Sequence, residues 1–340
     1  MTKETAQASP HASPHVWGVP KGRPEVDPAT LEAWERATER LRVVAERDGL
    51  SRSEVSRRSD VPLGTLSAWY DGTYAGSIAN VTARVVHWLD GLDEQREAAA
   101  SMPAGPEWVA TRTARELWDT LVYAQMMPEI AVVTLGAGMG KTKTARRYVA
   151  ERPNAFLVTM RPTTSGKHSM LQELALALDV IERNPARLDR AIGMRLQRNG
   201  RQTLLIVDEA QNLKDDAADQ LRYFHDEYGA GIALIGNDEV ASRFGRKDPR
   251  KGQAQFHRRV GKRIERLTPH EDDIEALIDA WGIEDAEVRK LLRVIGHKPG
   301  ALGQVDKSIR LASMFAAGSC EPLSAQHIRS AWKDRAGERL

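Results

Sequence analysis

Short apolar runs recur through the middle of the chain, and each is followed by a polar turn and a longer amphipathic segment. The first four contain no charged residue, which is typical of strands buried on both faces of a parallel sheet. The predicted strands are 130–134, 155–160, 203–207, 231–236 and 262–267. Because strands and helices alternate, we predict an α/β fold with a parallel, doubly wound sheet, whose ligand site lies at the C-terminal ends of the strands.

Apolar residues at helical spacing account for most of the remaining chain. The helices predicted among the strands are 113–125, 143–150, 169–181, 186–198 and 217–228. After residue 268 the pattern is helical only, and we predict a C-terminal helical lid from segments 271–281, 286–295, 301–316 and 324–335.

The N-terminal third has a different pattern. Residues 1–30 are rich in Pro, Ser, Ala and His and are predicted to be a disordered tail. A helix at 31–48 is followed by Ser51 and Glu54, a capping box that opens a short helix to about Ser59. After a tight turn, a second short helix is predicted at 63–70, which together suggests a helix-turn-helix. Its expected core residues are Val55, Val61, Leu66 and Trp69.

The second short helix is the candidate for the major groove of DNA. Its candidate exposed residues, which include no Arg, Asn or Gln able to read bases bidentately, are Gly64, Thr65, Ser67, Ala68 and Tyr70. Three nearby arginines suit phosphates, namely Arg52, Arg57 and Arg58. Since phosphate contacts position a protein without specifying sequence, weak sequence preference is expected. Alternatively, the helix pair is only a packing element.

A further helix at 80–92 completes this small domain, and a stretch rich in Pro, Gly and Ala follows it. The predicted domains are a tail at 1–30, a helix-turn-helix domain at 31–97, a linker at 98–112, an α/β domain at 113–268 and a helical lid at 269–340.

Composition narrows the class of protein. With 41% hydrophobic and 28% charged residues, the 340-residue chain can bury a core. The lone Cys320 excludes an intramolecular disulfide and suits a reducing cytoplasm, and no apolar run is long enough to cross a membrane. The nine His residues lack the spacing of metal ligands, so no structural metal is expected. A net charge of +2 does not by itself indicate nucleic acid.

A glycine-rich turn links the 130–134 strand to the next helix and is typical of a phosphate-binding loop. Backbone N–H groups in such a turn converge on an anion, aided by the helix dipole. Lys141 is expected to reach the β- and γ-phosphates of ATP, and the Thr142 hydroxyl to bind Mg²⁺. The candidate nucleotide-binding residues are Gly136, Ala137, Gly138, Met139, Gly140, Lys141, Thr142 and Lys143. Leu135 stands where the pattern has its first Gly, so the first turn is expected to be altered or shifted by one residue.

Two acids follow the 203–207 strand. Asp208 is the candidate second Mg²⁺ ligand, and Glu209 is the candidate catalytic residue that activates water for attack on the γ-phosphate. Such acid pairs also occur as simple helix caps. The phosphate-binding loop upstream favours the catalytic interpretation, and Asn237 at the tip of the next predicted strand is a candidate for orienting the same water.

The segment from 243 to 263 holds nine basic residues and one acid. A basic run is often only a solvated surface. Here Arg258 and Arg259 precede a strand from which an arginine finger could reach a neighbouring subunit's γ-phosphate. The candidate DNA-backbone contacts are Arg246, Lys247, Arg250, Lys251 and, in the 161–168 loop, Lys167.

The order of these features resembles the phage Mu B-type transposition proteins, which are AAA+ target-DNA-selection ATPases. The features are the helix-turn-helix, the phosphate-binding loop, the Val-Asp-Glu-Ala-Gln segment at 207–211, Asn237, the Arg258-Arg259 pair and the lid. The resemblance covers about residues 31–335. It implies a P-loop AAA+ ATPase that uses ATP and Mg²⁺, assembles as a helical filament on duplex DNA, delivers that DNA as an integration target and stimulates a transposase.

The lid departs from the AAA+ pattern, because many members carry a nucleotide-sensing Arg where this chain has Gly300-Ala-Leu-Gly303. Two other functions share the motifs. One is a transcription regulator in which ATP controls oligomerisation, and the other is a replication-helicase loader. The absence of base-reading side chains on the second short helix favours the transposition protein over the regulator.

Overall fold

The structure is a computed structural model that describes residues 17–101, 105–200, 202–245 and 254–336. The chain divides between residues 102 and 103 into two compact units. No helix in the described part of the chain is both long and apolar enough to cross a membrane.

The N-terminal unit is helical. It contains α1 (Pro28–Asp48), α2 (Arg52–Ser59), α3 (Leu63–Tyr70) and α4 (Ile78–Ser101). The capping box at the start of α2 forms as predicted, with the Ser51 hydroxyl accepting from the Glu54 N–H and the Glu54 carboxylate accepting from the Ser51 N–H. Asp60 ends α2 in the left-handed region at φ 53°. The two short helices therefore have the bounds that the sequence predicts.

The core of this unit confirms four predicted residues and corrects one prediction. Val55, Val61, Leu66 and Trp69 are buried as expected. Tyr70 was expected to be exposed but is fully buried, because its ring packs in the same cluster and its hydroxyl donates to the Gly18 carbonyl at 2.7 Å.

The N-terminal segment also differs from the expectation. Part of the predicted tail, residues 1–16, lies outside the described residues, but Trp17 belongs to the core of the helical unit and Val26 packs against it. Trp17 is 6% exposed, its indole N–H donates to the Leu50 carbonyl at 2.7 Å, and its ring lies edge-on to Tyr70 at 5.0 Å. Trp17 therefore fills a core position, a contact that the low density of apolar residues in this segment does not reveal in the sequence.

The second unit contains a five-stranded sheet in the order β2-β3-β4-β1-β5, with all neighbours parallel. The strands are β1 (Ile130–Leu135), β2 (Ala155–Thr159), β3 (Leu204–Asp208), β4 (Gly231–Gly236) and β5 (Val260–Arg266). The helices among them are α5 (Arg112–Met126), α6 (Lys141–Glu151), α7 (Lys167–Ala177), α8 (Leu188–Arg198), α9 (Asp215–Tyr228), α10 (Asp238–Val240) and α11 (Ala254–His257). The predicted doubly wound sheet is confirmed.

The central strands bury both faces, which explains their apolar sequences. In β1, Val132 belongs to the cluster packed against α7, α8 and α9, whereas its neighbours Ala131 and Val133 belong to the cluster that includes α5 and α6. Alternate residues thus face opposite helical layers. The edge strand β5 has an exposed or half-exposed residue at most positions, in agreement with its charged sequence.

Four C-terminal helices form the predicted lid around their own core. They are α12 (Glu271–Ala280), α13 (Ala286–Gly296), α14 (Ala301–Gly318) and α15 (Ala325–Ala336). A fully buried carboxylate, Asp273 of α12, joins this lid to the start of α5. It accepts from the Thr113 N–H at 3.0 Å and from the Thr113 hydroxyl, and it also caps α12 through the His270 N–H.

Several predicted boundaries move. The helix predicted at 80–92 extends to Ser101, so it takes up the start of the predicted 98–112 linker. The helix predicted at 169–181 ends at Ala177, because Asp179 turns into the left-handed region at φ 53°. Lys167, predicted in a loop, is the first residue of α7.

Candidate functional site

A cavity of about 510 Å³ opens where the phosphate-binding loop meets the ends of β3 and β4 and the lid. Seven of the eight predicted nucleotide-binding residues line it, together with two predicted catalytic residues. They are Ala137, Gly138, Met139, Gly140, Lys141, Thr142, Lys143, Glu209 and Asn237. The remaining loop residue, Gly136, begins the turn without lining the cavity.

The loop begins one residue later than the sequence pattern suggests. Leu135 is buried as the last residue of β1 and pairs with Arg266 of β5. The Gly136 N–H then donates to the Arg266 carbonyl at 2.9 Å. Leu135 therefore extends the strand, and the turn starts at Gly136, one residue later than the sequence pattern places it.

The loop leads into the N-terminus of α6. Gly140 takes φ 82° at the N-cap without a side-chain hydrogen bond, so the first N–H groups of α6 have no side-chain cap. Such N–H groups and the positive end of the helix dipole favour an anion.

Lys141 lies inside this loop. Its ammonium donates to the carbonyls of Leu135 at 2.8 Å and Gly136 at 3.1 Å. Burial lowers the pKa of Lys141, an effect that the nearby carboxylates of Glu209 and Asp208 partly offset. The Lys141 ammonium is therefore buried in the loop near two carboxylates. A bound phosphate would add negative charge beside it and would favour the charged form of the lysine.

The two predicted metal ligands are in direct contact. The Thr142 hydroxyl donates to Asp208 Oδ2 at 2.6 Å, and Asp208 is fully buried at the end of β3. Its other oxygen, Oδ1, accepts from the Glu209 N–H at 3.0 Å. These are oxygen ligands of the kind that Mg²⁺ prefers, and they converge beside the phosphate-binding loop.

Glu209 and Asn237 reach the cavity from adjacent strands. Glu209 adopts the left-handed conformation at φ 55°, which is uncommon for a residue with a side chain. Its carboxylate accepts from the side-chain amide of Gln211. The Asn237 carboxamide oxygen caps α10 by accepting from the Glu239 N–H at 3.0 Å, which leaves its NH₂ group as the donor available to the cavity.

The lid contacts the loop through glycines. The Gly303 N–H donates to the Gly138 carbonyl at 3.0 Å. Gly138 has φ 74°, and a Cβ there would lie 1.8 Å from the Gly300 carbonyl oxygen. The 300–303 segment, where many AAA+ proteins carry a sensing Arg, thus packs directly against the loop backbone.

Part of the cavity lining is apolar, and the sequence did not identify it. Trp108, Val109, Leu277 and Leu302 line it, and Arg147 lies over the Trp108 ring at 4.3 Å. Such a surface suits a nucleobase. Trp108 lies in the predicted linker, where an aromatic residue among Pro and Gly was the only local signal.

The two candidate finger arginines differ in their surroundings. Arg259 forms an ion pair with Asp226 of α9. Arg258, the residue before it, is exposed, and no ion pair joins it to another described residue. Neither residue lines the cavity of its own chain.

The candidate DNA contacts differ in how exposed their side chains are. Arg57 and Arg58 are exposed on α2, Lys167 is exposed at the start of α7, and Thr65 and Ser67 are half-buried on α3. Arg52 instead pairs with Asp71 at 3.1 Å and lies over Trp17 and Tyr70, so its guanidinium makes contacts within the N-terminal unit. The predicted contacts Arg246, Lys247, Arg250 and Lys251 lie outside the described residues.

Comparison with known proteins identifies two family domains. Residues 127–244 match the AAA domain, and residues 258–334 match the C-terminal domain of the Mu B transposition protein.

Curated relatives extend over most of the chain. The ATP-dependent target DNA activator B of Escherichia phage Mu is 31% identical over 296 residues, which cover 86% of this chain and 93% of that protein. The Mu-like prophage FluMu DNA transposition protein B of Haemophilus influenzae is 33% identical over 74% of this chain and 88% of its own length.

Among solved structures, the Drosophila origin recognition complex bound to DNA matches at 14% identity and a TM-score of 0.49, over 68% of this chain and 63% of that one. A RuvB variant of Thermotoga maritima matches at 14% identity and a TM-score of 0.43, over 66% and 70%. The length and identity of the match to the phage Mu protein are what decide the family. This chain belongs to the Mu B family of transposition proteins, and it is an ATPase of the AAA class.

Proposed function

We propose that this protein is an ATP-dependent DNA-binding ATPase that delivers target DNA for transposition. Its phage Mu relative is named an ATP-dependent target DNA activator, and its Haemophilus influenzae relative is named a DNA transposition protein. The observation that supports this proposal most is the contact between Thr142 and Asp208 beside Lys141 and Glu209. Lys141, Thr142 and Glu209 line one cavity, and Asp208 lies directly behind Thr142, so the proposed phosphate-binding cation, metal ligands and water-activating carboxylate are close together.

The chemistry follows from these positions. Lys141 and the backbone N–H groups of the loop hold the β- and γ-phosphates, as in other phosphate-binding loops. Glu209 takes a proton from the attacking water, and the Asn237 amide orients that water. Mg²⁺, held by Thr142 and Asp208, would neutralise phosphate charge. The apolar lining around Trp108 receives the base.

Arg258 is the better candidate for the arginine finger. It is exposed, whereas Arg259 is held by Asp226. An arginine that does not line its own cavity can act only on the nucleotide of a neighbouring subunit. We therefore propose that ATP-bound subunits assemble, as a helical filament, with each site completed by the next subunit's Arg258.

DNA binding is assigned to basic residues of both units. Arg57 and Arg58 of α2, Lys167 of α7 and the 246–251 segment are proposed to contact phosphates, with Thr65 and Ser67 near the groove. Phosphate contacts contribute affinity without sequence information, so binding is proposed to be largely nonspecific. A transposase is the proposed partner that receives this DNA and is stimulated by the complex.

The proposal is tested with Lys141→Ala and Glu209→Gln proteins mixed with ATP and long duplex DNA of random sequence. Lys141→Ala removes the phosphate cation and is expected to abolish ATP-dependent DNA binding. Glu209→Gln keeps ATP binding but loses water activation, so it should form long-lived complexes on DNA, visible by electron microscopy.

Two outcomes count against the proposal. Glu209→Gln protein that hydrolyses ATP at the wild-type rate would remove Glu209 from the mechanism. Binding that resists random competitor DNA but yields to one particular sequence would favour an ATP-controlled transcription regulator.

A further inference from the structure

Gln211 is the one side chain that holds the carboxylate of Glu209 among the described residues. Its amide nitrogen donates to Glu209 Oε2. The carboxylate can only accept, so the nitrogen must face Glu209 and the carboxamide oxygen must face away from it. The proposed function gives Gln211 no role.

The far side of the Gln211 carboxamide is packed against β4. Its oxygen is buried without a hydrogen-bond partner. A Cβ on Gly236 would lie 2.3 Å from that oxygen, so only glycine permits this approach. Gly236 directly precedes Asn237, and Gln211 therefore lies between the two residues proposed to act on water.

The backbone of this turn is held from outside. The Arg243 guanidinium donates to the carbonyls of Gln211, at 3.0 Å, and Leu213, and it pairs with Asp215 at 2.8 Å. Because Gln211 is fixed at both its backbone and its carboxamide, its NH₂ group has a defined direction. A buried oxygen left without a partner costs free energy, which a role in function would explain.

We propose that Gln211 is a positioning residue for ATP hydrolysis, which keeps the Glu209 carboxylate directed at the γ-phosphate and in register with Asn237. The inference rests on the proposed role of Glu209. Gln211 does not touch the nucleotide, so its loss should reduce the rate of the chemical step and leave nucleotide binding intact.

Two variants remove the donor, and the first is Gln211→Glu, which keeps the shape of the side chain but places a second carboxylate beside Glu209. We expect kcat to fall about 10- to 100-fold, the usual effect of losing a hydrogen bond to a charged group. KM and the Kd of a fluorescent ATP analogue should change less than about twofold, because only transition-state interactions are lost. Gln211→Leu, which also lacks a donor, should lower kcat in the same way.

The matched control is Asn212→Leu, in the same helical turn. The Asn212 amide donates to the Met160 carbonyl at 3.0 Å rather than to Glu209. This variant is expected to keep the wild-type kcat even if its thermal stability falls. A Gln211 that served only packing would give the opposite pattern, with Gln211→Leu keeping the wild-type kcat because an apolar side chain of similar size fills the same space.

A double-mutant cycle separates this inference from the proposed function. In a Glu209→Gln background, Gln211→Glu should have little further effect on the residual single-turnover rate, since the group it positions is gone. If Glu209→Gln alone hydrolyses normally, the proposed role of Glu209 fails. If Glu209→Gln is inactive but Gln211→Glu retains the wild-type kcat, or lowers the residual rate by the same factor in both backgrounds, the inference about Gln211 is overturned.

Discussion

Gly138 is the residue at which the phosphate-binding loop and the lid meet. Its φ is 74°, and a Cβ would lie 1.8 Å from the Gly300 carbonyl oxygen, so there is no room for a side chain. Gly140 has a similar φ of 82°, but open space surrounds the position of its missing Cβ. Alanine substitutions at these two glycines therefore distinguish the free-energy cost of an unusual backbone conformation from the cost of displacing the lid.

We expect Gly138→Ala to destabilise the second unit more than Gly140→Ala does. Both variants carry the left-handed penalty of about 1–2 kcal/mol. Gly138→Ala also forces α14 away from the loop, and overpacking of this kind adds about 1–3 kcal/mol. Urea unfolding without nucleotide measures the difference. Equal losses of unfolding free energy in the two variants would show that moving α14 away from the loop costs no free energy.

Single residues also show where sequence reasoning reaches its limit. Lys141, Thr142 and Asp208 could be predicted because each belongs to a short motif with a fixed chemical role. Trp108 and Leu302 could not, because they line the cavity only after the segment before α5 and the lid have packed. The ion pair between Arg52 and Asp71 could not be predicted either, because an exposed cation and a paired one look alike in sequence.

At the scale of elements, the segment before α1 belongs to the N-terminal core. Trp17 contacts α3 through Tyr70 and the end of α1 through the Leu50 carbonyl. Truncation to about residue 28, where α1 begins, would remove this anchor and leave a core position unfilled.

Trp17→Ala is expected to destabilise the N-terminal unit by about 3–5 kcal/mol, the usual cost of removing a buried aromatic side chain. Val19→Ala is the control, because Val19 is 79% exposed and such changes cost less than about 0.5 kcal/mol. Hydrogen exchange at the amides of α2 and α3 in the full chain reports on this unit alone. Equal exchange in the two variants would contradict the anchoring role.

The elements themselves followed closely from the sequence where their signals are local. The helices α2 and α3 could be predicted because a capping box and a turn lie within a few residues. The strands β1, β3 and β4 could be predicted because burial on both faces selects apolar residues, so that the one charged residue among them is Asp208 at the end of β3. Trp17 could not be assigned, since its main-chain partner lies 33 residues away.

At the scale of the whole molecule, the placement of Arg258 predicts that activity depends on assembly. Arg258→Ala should lower ATP hydrolysis by as much as about 10³-fold, the effect of removing an arginine finger. Mixing it with Lys141→Ala protein should restore part of the rate, because some interfaces then pair an intact loop with an intact Arg258. Steady-state hydrolysis across mixing ratios measures this recovery, and none at any ratio would count against a shared site.

The contact between Asp273 and Thr113 bears on how this protein can be divided and recombined. It joins residues 160 positions apart, so the first helix of the ATPase unit and the lid are covalently remote but mutually dependent. The family's C-terminal model begins at residue 258, and a fragment cut there would carry β5 away from β1 and leave the Asp273 carboxylate without Thr113. A hybrid between this protein and a relative is therefore best joined at the 102–103 boundary. A junction within the second unit would take contacting residues such as Thr113 and Asp273 from different parents.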